Sequence, residues 1–356
     1  MTDFATLATA LRAPATALGA RAAAWHLPAD RPPWTTTGIE LRRGQAYTLL
    51  ASGRVQWSAR HPELHGGPGF HLWARVSPGG HIVNVTRNTG SFVADVDGTL
   101  ELGIYLGLWC EAFGALDTPA AAYARLAGGL DVLCVTWPGG DALSGLTALA
   151  RAVPCNEIET EIERARQPSP TPAGWDYLFE TGYSDIWRDC GDSAGGRICV
   201  AAEDEQGIIR AAVDFPLTPA TRLSWRWRME EHPSRLPEDT THTHDYVSLA
   251  LEFDNGRDLT WIWSSALAPE TYFDCPIKAW AGRETHYVVK SGFAEAGRWC
   301  TEQRLVHADV ARAMGPPPTR IVGVWLIAVA TFQHGRARAA FEAIRISDEH
   351  CELSVL

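Results

Sequence analysis

"RLSWRWRME", residues 222–230, alternates apolar and polar side chains at every step. Successive side chains of an extended chain point to opposite faces. Leu223, Trp225, Trp227 and Met229 therefore share one side, and Ser224, Arg226 and Arg228 the other. Comparable short apolar stretches surround this one: "GRICVAAE" (196–203), "IIRAAVDF" (208–215), "DYVSLALEF" (245–253), "LTWIWSS" (259–265), "THYVVKSG" (285–292), "RWCTEQRLV" (298–306), "RIVGVWLIAVA" (320–330) and "RAAFEAIRIS" (338–347). One helical pattern, "HADVARAMG" (307–315), interrupts them before a run of prolines. So many short strands in succession predict an antiparallel β-sandwich.

Strand signals also fill the first half. "GIELRRGQAYTLLASGRVQW" reads as a hairpin-like pair around its "RRGQ" turn, "GFHLWARVSPGGHIVNVT" as a pair around Pro78-Gly79-Gly80, and "GSFVADVDGTLELGIYLGLW" as a pair turning at Asp97-Gly98. "DALSGLTALARAV" is a helix with Asp141 as N-cap, and "NEIETEIERAR" is another. At the N-terminus Phe4, Leu7 and Leu11 recur at helical spacing, which argues for an amphipathic helix and not a signal peptide. The Pro-rich "QPSPTPAG" marks a linker. The predicted fold class is mainly β. A helical segment (1–33) precedes a sandwich (34–165) and a second sandwich (172–356), both jelly-roll-like or galactose-binding-like, with a few short helices.

The chain has 356 residues, enough for two cores, and a net charge of −11. An acidic chain without a Lys/Arg block is a poor match for a nucleic acid or an anionic membrane, so neither is expected as a partner. No run reaches the roughly 18 apolar residues of a membrane span. A cytoplasmic location is the expectation. The eight cysteines form no Cys-x-x-Cys pair, so no zinc-knuckle spacing is present. No Gly-x-Ser-x-Gly elbow and no phosphate loop occur.

Two stretches carry a resemblance. "TGIELRRGQAYTLLASGRVQW", "FHLWARVSPGGHIVNVT" and "GTLELGIY", within residues 34–105, resemble the small bacterial galactophilic lectins. That resemblance implies a β-sandwich which binds galactose through calcium. The loop that would supply the ligands differs, since Tyr105 is followed by "LGLWCEAFGALDTP" with the single acid Asp117 after Glu111. Hard cations need several converging oxygens, so calcium-dependent binding is not carried over. Residues 221–346 resemble a bacterial family of unknown function through "LSWRWRM", "HDYVSLALEFD", "TWIWSS", "VVKSG", "GRWCTEQRLVHADVARAMG" and "RIVGVWLIA". Where that family has an Asp-Asp pair, this chain has His244-Asp245. Where the family has an Asp-x-Asp-Asn-Thr stretch, it reads Ala330-Thr331-Phe332-Gln333-His334.

The functional expectation centres on "EDTTHTHDYVSLALEF", residues 238–253. Two histidines beside an acid supply groups that titrate near neutral pH, and a long polar loop delivers them. His244 and Asp245 are read as an acid/base or orienting pair, and Tyr246 as a second proton donor. His242, Arg226 and Arg228 would bind substrate from a shared polar face, with Trp261 and Trp263 either stacking on it or packing the core. Alternation, however, sets Asp245 on the face opposite His244 and Tyr246. The expected activity is a lyase, hydratase, isomerase or hydrolase acting without an organic cofactor on a sugar-like or aromatic small molecule, in the second sandwich or at the domain interface. The alternative is a non-catalytic, lectin-like saccharide-binding protein. No metal is predicted. If one were bound, His242 and His244 would share it with a third ligand from His286, His307 or His334.

Overall fold

The computed structural model describes residues 3–31, 33–58, 60–191 and 196–356. The fold is mainly β, built from antiparallel sandwiches with a few short helices. Two compact units emerge: residues 1–168 with 182–184, and residues 169–181 with 185–356.

The first unit contains α1 (Phe4–Ala17), β1 (Arg21–Pro28), β2 (Trp34–Leu41), β3 (Ala46–Gln56), β4 (His65–Gly66), α2 (Pro68–His71), β5 (Leu72–Ser77), β6 (Val83–Asn84), β7 (Thr89–Val93), β8 (Gly98–Ile104), α3 (Ala120–Tyr123), β9 (Ala127–Thr136), α4 (Ala142–Ala152) and α5 (Asn156–Arg166). One sheet runs β1-β9-β3-β4, with β7 also on β3, and the other β2-β8-β5-β6. Leu49, Ala51, Val132 and Cys134 meet Leu72, Ala74, Leu100 and Leu102 between them. The opposite face of the first sheet is covered by Phe4, Leu7, Leu11, Leu146, Leu149, Ile158 and Ile162 of the three long helices. That cover explains why β3 and β9 are apolar on both faces, as in "VLCV" (132–135) of β9. Asp141 caps α4 by accepting from Ser144 N at 3.1 Å.

Three expectations need correction here. The segment read as helical contains a strand, β1, paired along its length with β9. Its "RAAAW" favours helix locally, and a free sheet edge overrides that preference. Strands β2 and β3 are not a hairpin, and neither are β7 and β8, because each pair is split between the two sheets. A corner that crosses a sandwich carries the same alternation and the same Gly-rich turn as a hairpin. The pair β5–β6 does form as expected.

The second unit contains β10 (Asp176–Tyr177), β11 (Trp187–Asp189), β12 (Arg197–Glu203), β13 (Gln206–Pro216), β14 (Arg222–Glu231), β15 (Tyr246–Phe253), β16 (Asp258–Ser264), β17 (Tyr272–Asp274), β18 (Glu284–Ser291), β19 (Cys300–Leu305), α6 (Val306–Ala313), β20 (Arg320–Val329), β21 (Arg336–Ser347) and β22 (Glu352–Ser354). All nine expected strands are present. The four further strands (β10, β11, β17 and β22) have two or three residues, too few to show a period in the sequence. A seven-stranded sheet is ordered β10-β13-β20-β15-β16-β18-β17, and a six-stranded one β11-β12-β21-β14-β19 with β22 on β21. Between them lie Leu223, Trp225, Trp227 and Met229 against Val247, Leu249, Leu251, Phe253, Trp261 and Trp263. A disulfide joins Cys190 to Cys199. Among the described residues, no helix is long and apolar enough to cross a membrane.

Candidate metal centre

The outer face of the seven-stranded sheet is not the solvated polar face expected from alternation. Tyr246, Ala250, Ile262, Val288, Trp325 and Ile327 form a second apolar cluster there, roofed by Leu267, Phe273, Trp280 and Phe332. Leu267, Phe273 and Trp280 come from the 265–283 segment, which must cross the sheet because β16 and β18 are parallel, and Phe332 comes from the turn after β20.

Under this roof four side chains converge. Glu284 and His286 sit two apart on β18 and so face the same way. Cys275 follows β17, whose Phe273 pairs with His286, and His244 comes from the loop entering β15. One donor atom from each of His244, Cys275, Glu284 and His286 lies within 4.8 Å of all the others, and every one of these residues is buried. Cys275 Sγ is 3.5 Å from His244 Nε2, and His286 Nε2 is 3.5 Å from Glu284 Oε2. Bond lengths of about 2.0–2.3 Å to nitrogen, oxygen and sulfur give tetrahedral edges of about 3.4–3.6 Å. Two of the donor pairs, His244–Cys275 and His286–Glu284, stand at that edge length.

The hydrogen bonding agrees. His244 Nδ1–H donates to the Glu238 carbonyl at 2.6 Å. That fixes the tautomer and leaves the Nε2 lone pair facing Cys275, the arrangement that orients a ligating imidazole. Neither ring nitrogen of His286 has a hydrogen-bond partner although the ring is fully buried. An orphaned buried donor or acceptor costs about 1–3 kcal/mol, and ligation removes that cost. Burial, with the neighbouring His286, holds the His244 imidazole down at about 3, so it is neutral and ready to ligate at any ordinary pH. Burial and the Glu284 charge push the Cys275 thiol upward, so a thiolate there needs a cation beside it. Glu284 Oε1 accepts from Tyr246 Oη at 3.0 Å and Thr260 Oγ1 at 3.3 Å.

Of the expected site residues, the structure brings together His244 and Tyr246, whose rings lie 4.8 Å apart, centroid to centroid. The others lie elsewhere. Asp245 points to the opposite side of its strand and accepts from the backbone N–H groups of Phe332 and Gln333 at 3.0 and 2.7 Å. Burial raises its carboxyl to about 6. It anchors the 330–334 segment and forms no dyad with His244. His242 is exposed in a turn before the strand begins, so alternation never placed it beside His244. Arg226 and Arg228 belong to the other sheet and point away from the core. Arg226 pairs with Glu342 at 2.6 Å and Arg228 with Glu230, both over the Trp299 ring. Trp261 and Trp263 are core residues, each under 2 % exposed, so they do not stack on a substrate. Their indole N–H groups donate to Asp309 and the Gly292 carbonyl. Of the third ligands considered for a metal, His286 is in the cluster and His307 and His334 are not. Cys275 and Glu284 were not anticipated. "ETH" at 284–286 carried the signal for two ligands on one face, and nothing in sequence announced Cys275.

A family model described as "Protein of unknown function (DUF3047)" matches residues 190–345. No curated protein matches the chain. Solved structures similar to parts of it include the "EclA N-terminal domain; PllA-like lectin", 20 % identical over 32 % of this chain and 94 % of that one, TM-score 0.25. Another is the xyloglucanase domain of NopAA, a type three effector from Sinorhizobium fredii, in complex with cellobiose. It is 10 % identical over 51 % of this chain and 97 % of that one, TM-score 0.30. Salicylate 1,2-dioxygenase from Pseudoaminobacter salicylatoxidans is 11 % identical over 93 % and 72 %, TM-score 0.13. Scores this low carry no statement about chemistry.

Proposed function

We propose that the second unit is a metal-binding module holding one divalent transition-metal ion through His244, His286, Cys275 and Glu284. Zinc fits this donor set best. Two neutral imidazoles, a thiolate and a carboxylate balance a dication, and such mixed nitrogen and sulfur donors with tetrahedral spacing are zinc's preferred environment. The observation that carries the reading is the convergence of four buried donors on one point, with His286 in no hydrogen bond and its Nε2 3.5 Å from Glu284 Oε2.

The activity assigned to this centre is metal-assisted conversion of a small molecule, by hydrolysis, hydration, elimination or isomerisation. It replaces the cofactor-free acid/base scheme, because a buried, neutral His244 does not titrate near pH 7 and Asp245 faces away. Sugar-like and aromatic compounds are the substrates to screen first, on the resemblance of residues 34–105 to galactophilic lectins. The same resemblance supports the second reading, non-catalytic saccharide binding.

Elemental analysis of protein purified without chelator tests the metal reading. One equivalent of zinc or a neighbouring transition metal is expected, falling by at least about tenfold in His286→Ala. Metal-free protein that takes up none of zinc, cobalt or copper at micromolar concentration overturns it. Glycan binding that survives His286→Ala, with no turnover of any screened compound, favours the second reading.

A further inference from the structure

Resting on that metal reading, we propose that Glu284 is the exchangeable ligand: His244, His286 and Cys275 hold the ion, and the fourth position opens to water or a small anion when Tyr246 and Thr260 take the Glu284 carboxylate.

The four side chains are not equivalent. Among the described residues His286 makes no hydrogen bond, its Nε2 lying 3.5 Å from Glu284 Oε2, and His244 Nε2 meets the Cys275 sulfur. Apart from these contacts within the cluster, those atoms gain polar partners only from the ion. Glu284 has an alternative. Its Oε1 already accepts from the Tyr246 hydroxyl at 3.0 Å, and the Thr260 hydroxyl lies 3.3 Å away. At most one of its oxygens faces the other ligands.

Thr260 supplies the second half of the device. Its one hydroxyl proton is shared between Asp258 Oδ2, at 2.9 Å, and Glu284 Oε1, at 3.3 Å. A hydroxyl donates one hydrogen, so it serves one carboxyl or the other. Turned to Asp258, it leaves Glu284 to the metal; turned to Glu284, it joins Tyr246 in holding the carboxylate off. Asp258 is fully buried, and its Oδ1 has no partner.

Charge defines the incoming ligand. A dication with one thiolate and two neutral imidazoles keeps a net charge of +1 once the carboxylate leaves. Phe273 stacks on the His286 ring at 5.0 Å and Phe332 lies 6.5 Å from His244, so the crowded, buried donors suit a small anion or hydroxide better than a bulky ligand. With the carboxylate displaced but still beside the ion, Glu284 is also positioned to take a proton from that water.

Cobalt(II)-loaded protein provides the test, because its visible absorption reports both coordination and the thiolate bond. Azide added to the wild type is expected to shift the d–d bands saturably. Glu284→Gln, nearly isosteric, is expected to keep cobalt and its thiolate band and to bind azide about tenfold more tightly. Tyr246→Phe, which removes a competitor for the carboxylate, is expected to weaken azide several-fold. An unchanged wild-type spectrum at saturating azide overturns the proposal. So does loss of cobalt in Glu284→Gln with a native circular dichroism spectrum, since Glu284 is then an obligate ligand of a closed site. A wild type that takes up no cobalt with a thiolate band removes the metal reading itself, and this proposal with it.

Discussion

At the scale of single residues, burial decides which histidines do chemistry. His71, in the first unit, is fully buried between Trp57 Nε1–H, which donates to its Nε2 at 2.8 Å, and the Tyr105 carbonyl, which accepts from its Nδ1 at 2.7 Å. Burial lowers it from 6.5 to about 4. Protonation would also set a second N–H against the indole donor. Between these values the unfolded chain binds more protons than the folded one, so stability rises with pH. His71 therefore contributes fully above pH 6.5, and that contribution is lost as pH falls toward 4, amounting to about 3 kcal/mol. Urea titrations from pH 4 to 8 are expected to show this slope in the wild type and its loss in His71→Gln, whose amide can still serve both partners. Trp263→Ala is expected to cost about 3–5 kcal/mol, read by the same titration, because the indole fills the inter-sheet core. A substrate-stacking role would predict little change in stability.

Elements add what residues cannot: which side of a sheet a group occupies. Alternation in "RLSWRWRME" and "DYVSLALEF" was legible, and the inward sets it predicts are those of the core. It could not say that β14 and β15 lie in opposing sheets, so Arg226 and His244 were joined on one imagined face. The ion pair of Arg226 is 43 % exposed on the arginine side. Arg226→Ala is accordingly expected to cost less than about 1 kcal/mol and to leave metal content unchanged. Removing the cap of α4 by Asp141→Ala is expected to cost about 1 kcal/mol, measured by chemical denaturation, since the Ser144 N–H loses its acceptor. This cap was readable because capping is local. The split of β2 from β3 was not, because which sheet a strand joins depends on partners far along the chain.

On the scale of the whole molecule, the two units should respond separately to metal. An ion bound only by the folded second unit stabilises it by mass action, about 4 kcal/mol at a thousandfold excess over its dissociation constant. Chelation is therefore expected to lower the melting temperature of the transition assigned to residues 185–356 and to leave that of the first unit in place. Calorimetry with and without chelator measures both. A single transition shifted as a whole would instead mean that the units unfold together.

Local sequence pattern specifies the strand-rich architecture, the nine longer strands of the second unit, its inward-facing tryptophans and the principal helices. Those follow from periods of 2 and 3.6 residues, which are local properties of the chain. The candidate site, by contrast, exists only in the folded chain. His244 and Cys275 are separated by 31 residues, and no spacing rule links them. They meet because β16 runs parallel to β18, so the chain between them must cross the sheet, and β17 returns Cys275 along that edge to His286. Strand order, a non-local consequence of burying two apolar faces at once, brings four scattered donors within reach of one ion.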